Sequence, residues 1–268
     1  MPVSLINGYR MHYETQGNGS PLLMIHGGLG GGEGAASIKR HHSQRLSERH
    51  QVVLYDRRSA GQSETPEDGY SLANYSADAA HQLLAHLGTS QVHILGSSAG
   101  GPIAMKFALE HPEMTQSLLL VNTMSYYQET QRQVRKTELE RVLSTIHNKE
   151  NSTLNLNTDQ SIISSQQEIS QNNALAKTIR SYLDIKDSLE RRLEAISVPT
   201  LIMHGDQDDR IPLECGLQLH SSIVESEFVV VPNAGHGLLS NEPTVTGNLI
   251  VEFLDKVDSQ NQVDIPVN

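Results

Sequence analysis

Ser98 stands at the centre of Gly96-Ser97-Ser98-Ala99-Gly100, behind the apolar run Val92-His93-Ile94-Leu95 and ahead of Pro102-Ile103-Ala104-Met105-Lys106-Phe107-Ala108-Leu109. That order reads as strand, abrupt turn and helix with a serine at the apex. Flanking glycines let the backbone turn without Cβ clashes, so the hydroxyl is held above the strand end and beside the helix N-terminus. The chemistry such a hydroxyl could do is nucleophilic attack. A G-x-S-x-G pentad is expected by chance in roughly one chain of this size in ten, so its weight comes from its context and from the partners it finds downstream.

A serine hydroxyl is a poor nucleophile at neutral pH. It needs an imidazole to take its proton and a carboxylate to fix that imidazole's tautomer and orientation. Both residue types follow. Leu201-Ile202-Met203-His204-Gly205-Asp206-Gln207-Asp208-Asp209-Arg210-Ile211-Pro212 is an apolar run leading into three aspartates, and Val231-Pro232-Asn233-Ala234-Gly235-His236-Gly237 is one leading into a glycine-flanked histidine. In an open parallel sheet, groups at the carboxyl ends of different strands converge on one edge although they are far apart in sequence. Spacing alone leaves Asp206, Asp208 and Asp209 open as the acid.

The elements that must position these residues are legible as patterns. Val3 to Ile6 and Tyr9 to Glu14, joined by Asn7-Gly8, read as a β-hairpin, because Asn-Gly tolerates the positive φ of a two-residue turn. Six short apolar runs follow: Leu22 to Ile25, Val52 to Tyr55, Val92 to Leu95, Leu118 to Val121, Leu201 to Met203 and Phe228 to Val231. Runs this continuous suggest strands buried on both faces of a parallel sheet. Leu72, Tyr75, Ala79, Leu83 and Leu87 sit at helical spacing between two of them, and Val245, Leu249, Ile250, Phe253 and Leu254 do so after the last. The alternation predicts a wound α/β fold.

It breaks between Ser125 and Val198, a gap far longer than an ordinary crossover. An inserted cap over 125–197 accounts for the gap, dividing a core of residues 1–124 and 198–268. Leu139, Val142, Leu143 and Ile146 mark one amphipathic helix there, and Leu175, Ile179 and Tyr182 another. Residues 147 to 173, dominated by Asn, Ser, Gln and charge, are expected to form a loop or loosely packed helix pair and to be the mobile element. The polar tail from Ser259 to Asn268 is expected to fray.

Composition sets the outer bounds. With 268 residues and 37% hydrophobic content, the chain suits one large α/β core carrying one insertion. No apolar stretch approaches the roughly 20 residues of a membrane span, so no membrane association is expected. The N-terminus lacks a basic segment followed by an apolar one, and Cys215 is the single cysteine, so cytoplasmic residence is the expectation. A net charge of −11 would repel phosphate backbones and argues against a nucleic-acid partner. Thirteen histidines invite a metal reading, but no H-E-x-x-H or paired-cysteine spacing occurs, and His41-His42 adjoin Lys39-Arg40 on an expected surface helix. No metal site is expected. Gly28 to Gly34 lack the Gly-Lys-Ser/Thr ending of a P-loop and match a dinucleotide fingerprint poorly.

Several segments together resemble the α/β-hydrolase superfamily. They are His26-Gly27-Gly28, Asp56-Arg57-Arg58-Ser59-Ala60-Gly61-Gln62-Ser63, the pentad around Ser98, Pro199-Thr200-Leu201 leading to Gly205-Asp206-Gln207-Asp208, and Gly235-His236-Gly237. The resemblance covers nearly the whole chain outside the insertion. It implies a mostly parallel eight-stranded sheet with helices on both faces and a helical cap. It also implies Ser98 as nucleophile, His236 as general base and then acid, and Asp208, three residues after Gly205 and four before Pro212, as the orienting carboxylate, with Asp206 the main competitor. Some relatives carry the acid after the preceding strand, but Val121-Asn122-Thr123 offers no charge there. The oxyanion donors implied are the backbone N–H groups of Gly28 and Ala99. By the same pattern His26 is structural, and His204 reads as a satisfied core histidine. Leu29, Ser97, Met124, Tyr126 and Tyr127 are the expected substrate contacts, the small Ser97 standing where many relatives place a larger residue.

The activity implied is that of a cofactor-independent serine hydrolase acting on a small-molecule ester, thioester or lactone through an acyl-enzyme. Three other readings stay open. The segment His26-Gly27-Gly28-Leu29-Gly30 resembles proline iminopeptidases, although Leu29 stands where they usually have proline and the chain has no tryptophan. Carbon–carbon bond hydrolases and perhydrolase-like relatives use the same three residues. A ligand receptor keeping the hydrolase scaffold is the reading from another class. Haloalkane dehalogenases and epoxide hydrolases are disfavoured because they need an aspartate where Ser98 stands.

Overall fold

The computed structural model describes residues 3–75, 81–153, 158–184 and 189–263. Eight strands, β1 (Val3–Ile6), β2 (Tyr9–Gln16), β3 (Ser20–Ile25), β4 (His50–Tyr55), β5 (Val92–Ser97), β6 (Thr115–Val121), β7 (Thr200–Gly205) and β8 (Ser226–Val231), form one sheet in the order β1-β2-β4-β3-β5-β6-β7-β8. Pairing is antiparallel between β1 and β2 and between β2 and β4, and parallel elsewhere. The Asn7-Gly8 turn has φ of 47° and 77°, the left-handed pair that a tight hairpin requires.

Alternate residues of the central strands feed two cores, as period-2 geometry dictates. Leu23, Ile25, Val53, Ile94, Leu118 and Ile202 face one way and pack with α1 (His81–His86), α2 (Gly100–Glu110) and a later helix, Leu213–Ser222. Leu22, Met24, Val52, Leu95, Leu119 and Met203 face the other way, toward the C-terminal helix Pro243–Val263. Burial on both faces is why these strands read as continuous apolar runs.

Between β6 and β7 the chain inserts two long helices, α3 (Glu129–Thr153) and α4 (Asp159–Leu183). Lys149 meets Glu168 and Thr153 meets Ser165, an antiparallel register. Val142, Ile146, Ala176, Ile179 and Leu183 form their shared apolar seam. The polar stretch 147–173 is therefore mostly helical, carried by its neighbours' seam and by Thr158, whose side chain accepts from the Ser161 N–H to cap α4.

Two further expectations are corrected, and a third falls partly outside the described residues. The C-terminal helix, labelled α6 after α5 (Leu213–Ser222), continues through residues 259–263, because Val257 is buried and the Asp258 carboxylate is held by Ser20 and His93. His42 turns inward rather than outward, and its Nε2 meets the Leu239 carbonyl at 2.8 Å. Ala79, assigned to the helical pattern before β5, lies outside the described residues, and α1 ends at His86. Among the described residues no helix is long and apolar enough to cross a membrane.

Candidate active site

Ser98 sits in the turn between β5 and α2 with φ of +51°, a left-handed conformation that a side chain adopts only when its surroundings enforce it. Its N–H donates to the Val121 carbonyl at 2.9 Å, and its carbonyl accepts from Thr123 Oγ1 at 2.6 Å and the Gly101 N–H at 3.0 Å. The glycines of the pentad are steric necessities. A Cβ on Gly96 would lie 2.6 Å from the Gly100 carbonyl oxygen, and one on Gly100 would lie 2.3 Å from that of Ile25.

Ser98 Oγ lies 3.0 Å from His236 Nε2, and His236 Nδ1 lies 2.8 and 3.0 Å from the two carboxylate oxygens of Asp208. A carboxylate can only accept, so Nδ1 carries the ring proton and Nε2 is left to accept from the serine. The Asp208 side chain is fully buried. Burial pushes its carboxyl up, but the His236 N–H, the His236 charge and the N–H groups of Ile211 and Arg210, both at 2.9 Å, outweigh it and leave a net downward shift. Asp206 and Asp209 are exposed, so Asp208 is the aspartate that meets the imidazole. His204 is buried beneath, Nε2 bonded to the Ile211 carbonyl at 2.9 Å, where it shores up the aspartate loop; burial lowers its pKa.

The loop after β3 closes the other side. Gly28, with φ of +81°, and Ala99, which precedes α2, border the cavity beside Ser98, and neither N–H donates to another described residue. Both loops are tethered from behind: Arg57 donates to the Gly27 and Gly28 carbonyls, and the Tyr182 hydroxyl of α4 donates to the Ala99 carbonyl. His26 is buried, and burial together with the Arg57 charge pushes its pKa down to about 3.

Two cavities flank Ser98 and His236. The larger, about 710 Å³, runs under the inserted helices and includes Leu29, Tyr127, Arg135, Glu138 and Leu175. The smaller, about 410 Å³, runs along the glycine loop and includes Ser97, Ser37 and Ser240, with Arg210 shared by both. Of the expected substrate contacts, Leu29 and Tyr127 border the first and Ser97 the second. Met124 does neither: it is packed into the core at the end of β6. Tyr126 points its hydroxyl toward Gln218 at 3.0 Å on α5. Among the described residues no group of three or more His, Cys, Asp or Glu could hold a metal ion.

Sequence patterns alone do not mark Asn122, Arg57 or Tyr182 as functional. Asn122 registered only as a missing carboxylate, yet it cross-links three loops of the site. Arg57 carries a signal, since a cation two residues past a doubly buried strand needs a polar partner in the interior. Tyr182 had none beyond its helical spacing.

A model of the alpha/beta hydrolase fold matches residues 20–243. The 2-hydroxy-6-oxononadienedioate/2-hydroxy-6-oxononatrienedioate hydrolase of Comamonas testosteroni is 25% identical, over 93% of this chain and 92% of that protein. Among solved structures, a thermophilic esterase from Thermogutta terrifontis superposes with a TM-score of 0.74 at 25% identity, covering 93% of this chain and 94% of that one. A bromoperoxidase from Bacillus anthracis does so with 0.75 at 22%, covering 92% and 96%, a likeness of fold.

Proposed function

The chain belongs to the alpha/beta hydrolase fold family, and from that premise we propose that it is a cofactor-independent serine hydrolase that cleaves a small or medium ester, thioester or lactone through an acyl-enzyme on Ser98. The observation that carries this reading is the continuous path from Ser98 Oγ through His236 to the buried Asp208, opening onto a cavity large enough for a small-molecule substrate.

His236 Nε2 takes the Ser98 proton as Oγ adds to the substrate carbonyl, and the Asp208 carboxylate stabilises the imidazolium that forms. The negative oxygen of the tetrahedral intermediate is received by the Gly28 and Ala99 N–H groups. His236 then gives its proton to the leaving oxygen or sulfur as the bond to the acyl carbon breaks. Water, deprotonated by His236, repeats the addition and frees Ser98. Residues 125–197 act as the cap, with Leu29 and Tyr127 among the groups that touch substrate.

An aminopeptidase of the proline-iminopeptidase type would need a free carboxylate in the cap for the substrate amine. Glu138, the cavity-lining carboxylate of α3, is ion-paired with Arg135, which weighs against that reading.

Labelling with a fluorophosphonate probe and hydrolysis of p-nitrophenyl acetate test the proposal. The wild type should be labelled on Ser98 and should turn over, and Ser98→Ala should do neither. Equal hydrolysis by the two proteins, without labelling, would overturn it. Tight small-molecule binding with no product would favour a receptor.

A further inference from the structure

Arg57 is 2% exposed, and no carboxylate of a described residue lies within ion-pairing distance of it. A buried guanidinium without a counterion is costly, so what its charge faces is informative. Its Nη2 donates to the Gly27 carbonyl at 2.8 Å and also to that of Gly28, while its Cζ lies over the Tyr75 ring, 5.4 Å from the ring centre. Tyr75 is in turn tied to Thr178 of α4 by a 2.8 Å hydroxyl pair. Nε and Nη1 are buried with no hydrogen-bond partner among the described residues.

The Gly27 carbonyl and the Gly28 N–H are two ends of one peptide group. The carbonyl end receives Arg57 and also His26 Nδ1 at 2.7 Å. The His26 tautomer is fixed, because its Nε2 accepts the Arg57 N–H at 3.2 Å and so leaves the proton on Nδ1. The peptide is trans, so the N–H end points away from Arg57 and His26, and Gly28 itself borders the cavity beside Ser98. Hydrogen bonds in a chain polarise one another, and low dielectric strengthens the effect. A cation bonded to one end of a peptide therefore makes the other end a stronger donor. Its charge also favours the negative oxygen that forms beyond it.

We infer that Arg57 is a positioning residue for the reaction: it orients and polarises the Gly27–Gly28 peptide, so that its charge, which meets no carboxylate among the described residues, favours the tetrahedral oxyanion when that forms at Ser98. The inference rests on the acyl-enzyme reading above. It predicts stabilisation confined to the charged intermediate, with neutral ground-state binding left alone.

The test uses three variants of the whole 268-residue chain. Arg57→Lys keeps the charge, Arg57→Gln keeps a donor without charge, and Arg57→Met keeps neither. For an ester substrate, Arg57→Met should lower kcat by about 10- to 100-fold, somewhat less than the loss of an oxyanion donor itself, with KM changed by no more than about twofold. A boronic acid, which adds to Ser98 Oγ as a tetrahedral anion, should lose affinity in proportion to kcat/KM. Arg57→Lys should regain most of both losses and Arg57→Gln little of either. Should Arg57→Met fail to fold, the Lys and Gln variants decide the matter between them. Equal kcat and boronate affinity in the Lys and Gln variants, or losses that appear in KM alone, overturn the inference. Wild-type behaviour in all Arg57 variants alongside an inactive Ser98→Ala overturns it while leaving the hydrolase reading intact; an active Ser98→Ala overturns both.

Discussion

Asn122 holds His236 by the backbone: its Nδ2 donates to the His236 carbonyl at 3.0 Å and to that of Gly235 at 2.9 Å, while its Oδ1 accepts the Gly205 N–H at 2.9 Å. One buried amide thus ties the end of β6 to the histidine loop and to the end of β7, from which Asp208 follows. No other uncharged side chain of similar size offers donors and an acceptor in that arrangement.

Asn122→Ala should therefore lower kcat by about 10- to 100-fold, since small displacements of reacting groups are amplified at this scale. Three bonds are lost and carbonyls are left buried, so stability should fall by about 1–3 kcal/mol. Steady-state kinetics and urea unfolding of the same sample measure both. Unchanged kcat with reduced stability would reduce Asn122 to a structural tie.

Asp208 and Asp206 make a controlled pair. In Asp208→Asn the Arg210 and Ile211 N–H groups still find an acceptor, so the loop should keep its shape. The new amide can present a donor to His236 Nδ1, however, and favour the wrong tautomer; kcat should drop by about 10⁴-fold. Asp206→Asn, at an exposed position, should leave kcat within about twofold of wild type, as surface changes away from the machinery do. Comparable losses in the two variants would contradict the geometry of the site.

How much of the fold and the site is legible in the sequence depends on whether the information is local. The hairpin at Asn7-Gly8, the doubly buried strands and the Ser98 turn each follow from a few adjacent residues with a dominant physical preference. So does the choice of Asp208 once its spacing from Gly205 and Pro212 is taken as a pattern. For 147–173 the sequence leaves a loop and a helix pair both open, because the seam that decides for helices is sparse and depends on pairing α3 with α4, a long-range fact. The same holds for Asn122, Arg57 and Tyr182, whose partners lie on other elements. Met124 and Tyr126 show the converse, since being adjacent to the start of the inserted helical segment does not determine the direction in which a side chain points.

Glycine substitutions separate packing from catalysis. In Gly100→Ala the new methyl group would collide with the Ile25 carbonyl oxygen at 2.3 Å and that of His26 at 2.9 Å, backbone atoms that cannot step aside. Destabilisation of about 3 kcal/mol or more is expected, at or beyond the upper end for overpacking. Gly28→Ala has nothing within 4 Å of its Cβ and strains only a φ of +81°, so it should cost about 1–2 kcal/mol. Its larger effect should be on kcat, through the N–H it carries. Urea midpoints at constant m, set beside turnover, distinguish the two.

Acid should weaken this fold through buried neutral histidines. His93 is fully buried, with Nδ1 paired to Ser117 Oγ at 2.8 Å and Nε2 to the Asp258 carboxylate at 2.9 Å. Burial lowers its pKa below 6.5, and the His50 charge adds to that, while the attraction of Asp258 only partly opposes it; His50, beside the same carboxylate, is lowered by burial as well. As pH falls below about 6.5, the unfolded chain takes up protons on these rings while the native chain does not. Proton uptake is then greater in the unfolded state, and stability declines with falling pH by at most about 1.4 kcal/mol per pH unit for each such ring. At pH above that range their contribution is constant. Urea unfolding between pH 7.5 and 5.5 should show the decline, and His93→Gln, which removes one titrating ring, should make it shallower. A wild-type stability that stays level across that interval would mean that these rings gain protons in the native protein as readily as in the unfolded one, through Asp258.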